Sequence, residues 1–390
     1  MRVLSFGHIP LSEGGRQSSG LSNVIYQIAF HCAQQEVIDV ILAATDVFVK
    51  EQKRGPLTVL GWTKGLLIRY ALFHAGKALR ILYWAIKSKK KYPALVSVMG
   101  LFLKSVFLDY AIRKVHPNVV HMHGAQSVLY FTLIPRQVKL VVTLHGNVGH
   151  DDNILHYEIH SKMEEAICSS QRIDILCAIS STIPVIFRKM YGEIRPKVKV
   201  ILNAYDNQVF KYINPKEHSK LTLCTIASFS KLKGQERVID ALKLCHCNYS
   251  YKCVGHISDP DKELLEIKAR DIDFEWLGIK KPYEIRELLA ECDYMILPSS
   301  SEGFGLVYLE AIACGVPVII PNNLPLALEG NILNDKNAIR IKGYDVDAIV
   351  SVLPSLAKRK WNRLDVSKSV TPYTWDSVAK KYCEIYLSYQ

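Results

Sequence analysis

The chain has 390 residues, 49% of them hydrophobic, and its mean hydropathy is +0.08. These values fit about two or three globular domains and exclude an intrinsically disordered chain. Lys104 interrupts the apolar run from Ala94 to Leu108, so we expect no membrane-spanning helix. The short apolar stretch near the start of the sequence predicts no secretory signal, and ten scattered cysteines suit a reduced, cytoplasmic protein.

The net charge of +12 is concentrated in one segment. Eleven lysines and arginines lie between Gln52 and Leu108, and no aspartate or glutamate lies among them. Such a segment predicts an anionic partner, which could be a nucleic acid, a phosphate-bearing ligand or an anionic membrane.

The first half of the chain predicts strands that alternate with helices. Val3–Phe6 is a short apolar run, a loop containing glycines follows, and Leu21–Gln34 has helical periodicity. Continuous apolar runs that end in polar residues lie at 118–123, 140–145 and 173–179. Runs of this kind are typical of strands buried on both faces of a parallel sheet.

The same alternation begins again after about residue 205. The predicted strands are 221–228, 249–255, 274–278, 294–298 and 316–320, and the predicted helices are 236–245, 283–290 and 307–313. Two blocks of this kind predict two doubly wound α/β domains. We place them at residues 1–206 and 207–373, with 374–390 as a C-terminal helix that packs back toward the N-terminal domain.

The densest motif follows the strand that ends at Pro298. A loop with Glu302 and two glycines leads into a helix that carries Glu310. Glycines let the backbone approach a ligand, and a helix N-terminus offers free N–H groups to an anion. The alternative for these two acids alone is one helix-capping glutamate and one solvated glutamate.

The whole stretch is more specific than its acids. Pro-Ser-x-x-Glu-Gly-Phe-Gly-Leu followed by Glu-Ala-x-Ala-Cys-Gly-x-Pro-Val closely resembles the donor-site signature of glycosyltransferase family 4. These are retaining enzymes with the GT-B architecture, in which two Rossmann-like doubly wound domains face each other across a cleft. Further segments match in order: 119–124, 143–146, 178–181, 203–206, 226–234, 276–278 and 373–376.

The resemblance implies roles for the matching charged residues. Glu302 would hold the donor-sugar hydroxyls, and Glu310 would bind the nucleotide ribose. Lys233 would neutralise the diphosphate as the leaving group departs. His145 would lie near the transferred sugar.

The resemblance also implies roles for the backbone. The N–H groups of Phe304, Gly305 and Leu306 would hold the sugar and diphosphate. Gly20, following Ser19, takes the place of the family's N-terminal glycine pair beside the phosphates. The residues that would border the nucleotide pocket are Gly255 and Gly278.

One departure from the family pattern concerns the phosphate site. The family's diphosphate arginine falls on Ser228, and a hydroxyl does not replace a guanidinium. Either Lys231 or a cation of the N-terminal domain such as Arg16 substitutes, or donor binding is weak.

The basic segment has two interpretations. Residues 63–88 predict one helix on which Arg69, Arg80 and Lys87 share a face, with Lys77 nearby and Leu and Trp side chains on the remainder. Such a helix suits the surface of an anionic bilayer. The alternative is an ordinary domain helix with a solvated basic face. No nucleic-acid-binding module accompanies the charge, so we expect no nucleic acid partner.

The resemblance implies a retaining hexosyltransferase that moves a hexose or N-acetylhexosamine from a nucleotide-diphosphate sugar, expected to be a UDP-sugar, to an acceptor hydroxyl. The implied acceptor is a lipid-linked glycan in bacterial O-antigen or capsule assembly, at the inner face of the cell membrane. No cofactor or metal is expected, because Lys233 and helix dipoles would neutralise the diphosphate. The alternatives are a GT-B nucleotide-sugar epimerase and a degenerate, membrane-bound scaffold.

Overall fold

The computed structural model describes residues 1–16, 20–48, 51–92, 97–146, 157–217, 219–330 and 332–389. Ser19, named above beside Gly20, lies outside these residues. The chain divides into two compact units, residues 1–203 with 375–390 and residues 204–374. We call them the N-terminal and C-terminal units.

Both units are built from strands and helices. The strands are β1 Arg2–Gly7, β2 Asp39–Ala44, β3 Glu51–Arg54, β4 Leu57–Leu60, β5 Val119–His123, β6 Lys139–Leu144, β7 Ile175–Ala178, β8 Lys197–Val200, β9 Thr222–Ile226, β10 Ser250–Val254, β11 Asp273–Trp276, β12 Tyr294–Ile296, β13 Val318–Pro321 and β14 Ala338–Ile341. The helices are α1 Gly20–Gln34, α2 Lys64–Phe73, α3 Ala75–Lys91, α4 Val98–Val115, α5 Tyr157–Cys168, α6 Thr182–Tyr191, α7 Gln235–Cys245, α8 Asp259–Lys268, α9 Pro282–Leu289, α10 Leu306–Ala313, α11 Pro325–Leu328, α12 Val346–Val350, α13 Leu353–Leu356, α14 Arg363–Lys368 and α15 Trp375–Leu387. Short 3-10 segments lie at Leu11–Glu13 and Ala125–Leu133.

The N-terminal unit is built on an eight-stranded sheet in the order β3-β4-β2-β1-β5-β6-β7-β8. Its central strand β1 pairs in parallel with β2 on one side and β5 on the other. Val3 and Leu4 are fully buried, as expected for a strand that helices cover on both faces. Strand addition changes direction between β1 and β5, and ligands bind at such switch points in open α/β sheets.

The basic segment begins with an antiparallel hairpin at the sheet edge, β3–β4, for which no element was predicted. The predicted single helix over 63–88 is wrong, because it is broken at His74, whose Nδ1 lies 3.1 Å from the Tyr70 carbonyl oxygen and whose ring stacks on that of Tyr70. Arg69 therefore lies on α2, while Arg80 and Lys87 lie on α3.

The C-terminal unit contains a six-stranded, fully parallel sheet in the order β11-β10-β9-β12-β13-β14. This order builds outward from β9 in one direction and then from β12 in the other, so its switch point lies between these two strands. Its core includes the fully buried Leu223, Tyr251 and Ile319 on the sheet and Val238 on α7.

The last helix, α15, packs within the N-terminal unit. Asp376 Oδ1 lies 2.8 Å from His31 Nδ1 on α1, and the Cys32 thiol donates to the Ala379 carbonyl. The Tyr386 hydroxyl lies 2.7 Å from Nδ1 of His121, which is fully buried in β5. Residues at opposite ends of the chain thus share one core.

Replacing Tyr386 by Phe tests this contact. The substitution leaves Nδ1 of His121 buried without its partner, so the free energy of unfolding should fall by about 1–3 kcal/mol. The measurement is urea denaturation. The matched control is Tyr83→Phe, which removes an exposed hydroxyl and should change stability by less than about 0.5 kcal/mol. Equal effects of the two changes would contradict a contribution from the hydrogen bond.

Candidate functional site

Lys233 and Glu302 meet at the switch point of the C-terminal sheet. Lys233 lies in the loop after β9, and Glu302 lies in the loop after the neighbouring strand β12. The Lys233 ammonium donates to Oε1 of Glu302 over 2.6 Å, and both side chains are partly buried. A carboxylate and an ammonium are thus available to one ligand in the position where α/β sheets bind ligands.

Arg237, in the first turn of α7, holds these two loops together. Its guanidinium donates to the carbonyls of Lys231 (2.8 Å) and Leu232 (3.3 Å) in one loop. It also donates to the carbonyl of Pro298 (2.7 Å), at the start of the other. Gly234 makes room for it, since a Cβ there would lie 2.4 Å from the guanidinium. Arg237 therefore fixes the backbone on which both charged side chains stand.

Helix α10 begins directly after the Glu302 loop. Gly305 precedes it with φ +88°, and a Cβ at this position would lie 2.6 Å from the Tyr308 ring. Only glycine fits both constraints without strain. The first N–H groups of the helix, including that of Leu306, have no partner inside the helix and suit an anion. Phe304, just before the glycine, is buried and anchors the turn.

Glu310 lies one turn further along the same helix. Burial, followed by the negative charge of Asp206, raises its pKa to about 7. A carboxyl group in this environment is a strong acceptor for hydroxyl donors once it ionises.

Gly255 and Gly278 stand at the ends of β10 and β11. The N–H of Gly255 donates to the Gly278 carbonyl over 2.9 Å, and the Trp276 indole donates to the Gly255 carbonyl over 3.1 Å. A Cβ on Gly255 would lie only 2.2 Å from the Ala227 carbonyl oxygen, so this position requires glycine. Gly255 therefore allows close backbone packing against the loop that carries Ser228, whereas a Cβ on Gly278 would meet no described atom within 4 Å and only its φ of +72° favours glycine there.

Ser228 itself is exposed, and its carbonyl accepts from the Gln235 amide over 3.3 Å. Of the two cations predicted to substitute for the missing arginine, Lys231 has an exposed side chain in the same loop. Arg16 lies in the N-terminal unit, where its guanidinium stands 3.8 Å from the centre of the Phe48 ring.

His145 and Gly20 are the predicted site residues of the N-terminal unit. Gly20 opens α1, and apart from its chain neighbours and its own helix a Cβ placed on it would meet no described atom within 4 Å. His145 follows β6, and its Nε2 shares a hydrogen bond of 3.1 Å with Nδ1 of His123 at the end of β5. Ser5 of β1 lies 3.3 Å from the other nitrogen of His123. The two histidines thus stand over the carboxyl ends of adjacent strands.

Burial keeps this histidine pair neutral. It lowers the pKa of His145 to about 3 and the pKa of His123 well below its usual range. Nδ1 of His145 is buried without a hydrogen-bond partner in the described structure. A neutral imidazole with a free nitrogen can donate or accept one hydrogen bond to a ligand.

Sequence reasoning assigned no role to Arg237 or His123. The pattern of the residues gave no signal for Arg237, because its partners are backbone carbonyls. His123 was visible only as the polar end of an apolar run. Among the described residues, no group of three or more His, Cys, Asp or Glu side chains is arranged to hold a metal ion.

Residues 206–369 match the family model described as "Glycosyl transferases group 1". This match places the C-terminal unit among the group 1 glycosyltransferases. Lys233, Glu302 and Glu310 all lie within the matched region of this glycosyltransferase.

Two curated relatives are 28% identical to this glycosyltransferase. The first, N-acetyl-alpha-D-glucosaminyl L-malate synthase of Bacillus anthracis, aligns over 56% of this chain and 60% of its own length. The second, the O-antigen biosynthesis glycosyltransferase WclY of Escherichia coli, aligns over 41% of this chain and 44% of its own length. The alignments thus span three fifths or less of these relatives.

A solved structure confirms the GT-B fold expected for the glycosyltransferase. The crystal structure of Anabaena HepE in complex with UDP and glucose superimposes with a TM-score of 0.67. The superposition covers 100% of both chains, and the sequences are 15% identical.

Glu310→Gln tests the environment of this carboxyl group. The pKa of Glu310 is about 7 in the folded protein against 4.5 for a free glutamate, so folding favours its protonated form. Its contribution to stability is present below the unfolded pKa and is lost as the pH rises through about 7. Glutamine does not titrate, so the variant should gain about 1–3 kcal/mol over the wild type between about pH 5 and pH 8.

The measurement is urea denaturation of both proteins at the two pH values. Glu275→Gln, which changes an exposed glutamate of the same unit, is the control and should show no such gain. A stability difference between Glu310→Gln and wild type that stays constant with pH would show that the carboxyl is not shifted.

Proposed function

We propose that this glycosyltransferase transfers a hexose or N-acetylhexosamine from a UDP-sugar to an acceptor hydroxyl, with retention of the anomeric configuration. The observation that carries the proposal is the Lys233–Glu302 pair at the switch point of the C-terminal sheet. Glu310 on the helix that follows completes a set of one cation and two carboxyl groups suited to a diphosphate, a sugar and a ribose.

The choice of UDP rests on comparison. HepE, which shares the fold over its whole length, was crystallised with UDP and glucose. In this chain Lys233 and the amino end of α10 would hold the diphosphate, since both offer positive potential. Glu302 would accept hydrogen bonds from the sugar hydroxyls.

The retaining step follows the front-face scheme of the family that the sequence resembles. The bond between the anomeric carbon and the diphosphate breaks through an oxocarbenium-like ion pair. The acceptor oxygen then bonds to that carbon on the same face, and its proton passes to the departing diphosphate. Lys233 would lower the barrier by stabilising the charge that develops on the leaving group.

The proposed acceptor and the proposed pathway are also based on comparison with relatives. WclY is named for O-antigen biosynthesis, and we propose that this chain likewise glycosylates a lipid-linked glycan in bacterial surface polysaccharide assembly. Such an acceptor is presented at the inner face of the cell membrane.

Substitution of the two paired residues tests the donor site. Glu302→Ala and Lys233→Ala should each reduce turnover by about 100-fold or more, as loss of a key electrostatic contact does. Turnover is measured as UDP release from the nucleotide sugar that most stabilises the protein against heat. Lys358→Ala is the control, because this lysine of the same unit is exposed and lies outside the two loops that carry Lys233 and Glu302. A wild-type rate in either folded variant would remove that residue from the site.

We also propose that α2 and α3 dock on an anionic membrane. They expose a basic-apolar face that consists of Ile68, Leu72, Phe73, Leu79, Tyr83 and Ile86 with Arg80, Lys87, Lys90 and Lys91. Leu72 and Phe73 are each 74% exposed, which is unusual for large apolar side chains grouped together. Lys77 does not contribute, because its ammonium pairs with Asp109 of α4. No helix in the described parts of the chain is long and apolar enough to cross a bilayer.

Charge reversal tests this docking. Replacing Lys87, Lys89, Lys90 and Lys91 with Glu should abolish co-sedimentation with anionic vesicles, because each basic residue near the surface contributes about 1 kcal/mol. Binding of the wild type should weaken as salt is added.

The control changes Lys336, Lys358, Lys360 and Lys368 of the C-terminal unit to Glu. These four lysines are exposed, and the change in net charge is the same. Vesicle binding should survive in this variant. Equal loss in both variants, or equal binding of wild type to neutral vesicles, would contradict a specific basic-apolar face.

A further inference from the structure

The N-terminal unit contains a cavity of about 550 Å³ at the switch point of its own sheet. It is bordered by the carboxyl ends of β1, β5 and β6 through Gly7, His123 and His145. Its walls include Leu21 and Tyr130. A cleft of this size with apolar walls and a few polar groups is the usual form of a small-molecule site.

Lys104 of α4 is the only lysine or arginine among the lining residues that the structure describes. It stands in a row of buried residues, between Leu101 and Leu108. In the described structure its ammonium makes no hydrogen bond or ion pair with a side chain. Burial lowers its pKa, and attraction to Asp46 offsets only part of this effect.

Asp46, the acid that attracts the Lys104 ammonium, already has other partners. The Asp46 carboxylate accepts from the N–H of Arg16 (3.0 Å) and of Ile9 (3.4 Å), and lies 3.8 Å from His8 Nδ1. Glu164 lines the cavity itself and accepts from the Tyr191 hydroxyl over 2.9 Å. Neither carboxylate lies within ion-pair distance of Lys104.

Burying an ammonium without a paired anion costs free energy, and a bound anion would remove that cost. The 3-10 segment after β5 makes the cavity more positive still. Its first turn, Gly124–Ser127, lines the same cavity with the positive end of its backbone dipoles. The histidine pair beside it is kept neutral by burial, so it neither adds positive charge nor can supply a negative one.

We infer that Lys104 binds an oxyanion, a phosphate or a carboxylate, carried by the acceptor in this cavity. The inference rests on the proposed function, because it takes the N-terminal unit to be the acceptor side. The acceptor would then combine an anionic group on Lys104 with an apolar or sugar portion against Leu21 and Tyr130. Its chemistry is that of a sugar phosphate, a hydroxy acid or a lipid-linked diphosphate.

The test is protection of Lys104 from limited acetylation, followed by peptide mass spectrometry of the full chain. Saturating UDP is present throughout, so that the donor site does not compete for the probe. The soluble probes are inorganic phosphate and malonate, with chloride at equal ionic strength as the reference. The lipid-borne probe is farnesyl diphosphate.

At about ten times its Kd a ligand leaves roughly one site in ten open, so acetylation of Lys104 should slow by about tenfold. Protection by phosphate or malonate supports the inference and shows that an oxyanion alone suffices, while protection by farnesyl diphosphate alone supports it with a lipid-borne acceptor. If none of the three slows the reaction, the inference is wrong.

Calorimetry of the protecting probe supplies the second readout. Lys104→Met keeps most of the side-chain volume and should weaken binding by about tenfold or more, while Lys104→Arg should restore most of it. Lys114→Met, on the same helix but paired with Glu51, is the matched control and should bind as wild type does. Equal binding by Lys104→Met and wild type would overturn the assignment.

The two proposals fail separately. If UDP-sugars bind and no probe protects Lys104, the oxyanion site is wrong and the proposed donor chemistry stands. If a probe protects Lys104 and no nucleotide sugar binds, the oxyanion site stands and the proposed function is wrong.

Discussion

The strand order of the two sheets is the constraint on which both candidate sites depend. In a parallel sheet every strand ends at the same edge, and only at a switch point do the loops after two neighbouring strands diverge and leave a crevice. β9 and β12 are such neighbours in the C-terminal unit, and β1 and β5 are such neighbours in the N-terminal unit. Lys233 and Glu302 are 69 residues apart in sequence yet within 2.6 Å, because their strands are adjacent.

Strand order alone does not fix the positions of the loops that carry Lys233 and Glu302. Hydrogen bonds to the backbone of these loops hold them in place. The guanidinium of Arg237 donates to carbonyls in both the loop after β9 and the loop after β12. The Ser300 N–H also donates to the Leu232 carbonyl over 2.9 Å, which joins the two loops directly. A planar guanidinium can satisfy several carbonyls at once, which an ammonium on a flexible stem does less well. These hydrogen bonds therefore position Lys233 and Glu302 independently of the electrostatic attraction between the two side chains.

The sequence was sufficient to predict the fold class and the family, because strand, loop and helix patterns are local and the Glu302 to Glu310 motif is contiguous. Contacts between residues that are distant along the chain could not be predicted from the sequence. The partner of His121, for example, comes from α15, 265 residues later. Lys104 was visible as a charge in an apolar run, but only the cavity beside it indicates what that charge is for.

The neutrality of the histidine pair bears on where the acceptor proton goes. A base whose conjugate acid has a pKa of about 3 takes up almost no proton at neutral pH, so His145 can orient a hydroxyl but is a poor general base. The carboxyl group of Glu302 is already paired with Lys233. A departing diphosphate, by contrast, gains basicity as its bond to the sugar breaks. For the transfer that we propose, these electrostatics favour a step in which the leaving group itself accepts the proton and the protein supplies position and charge.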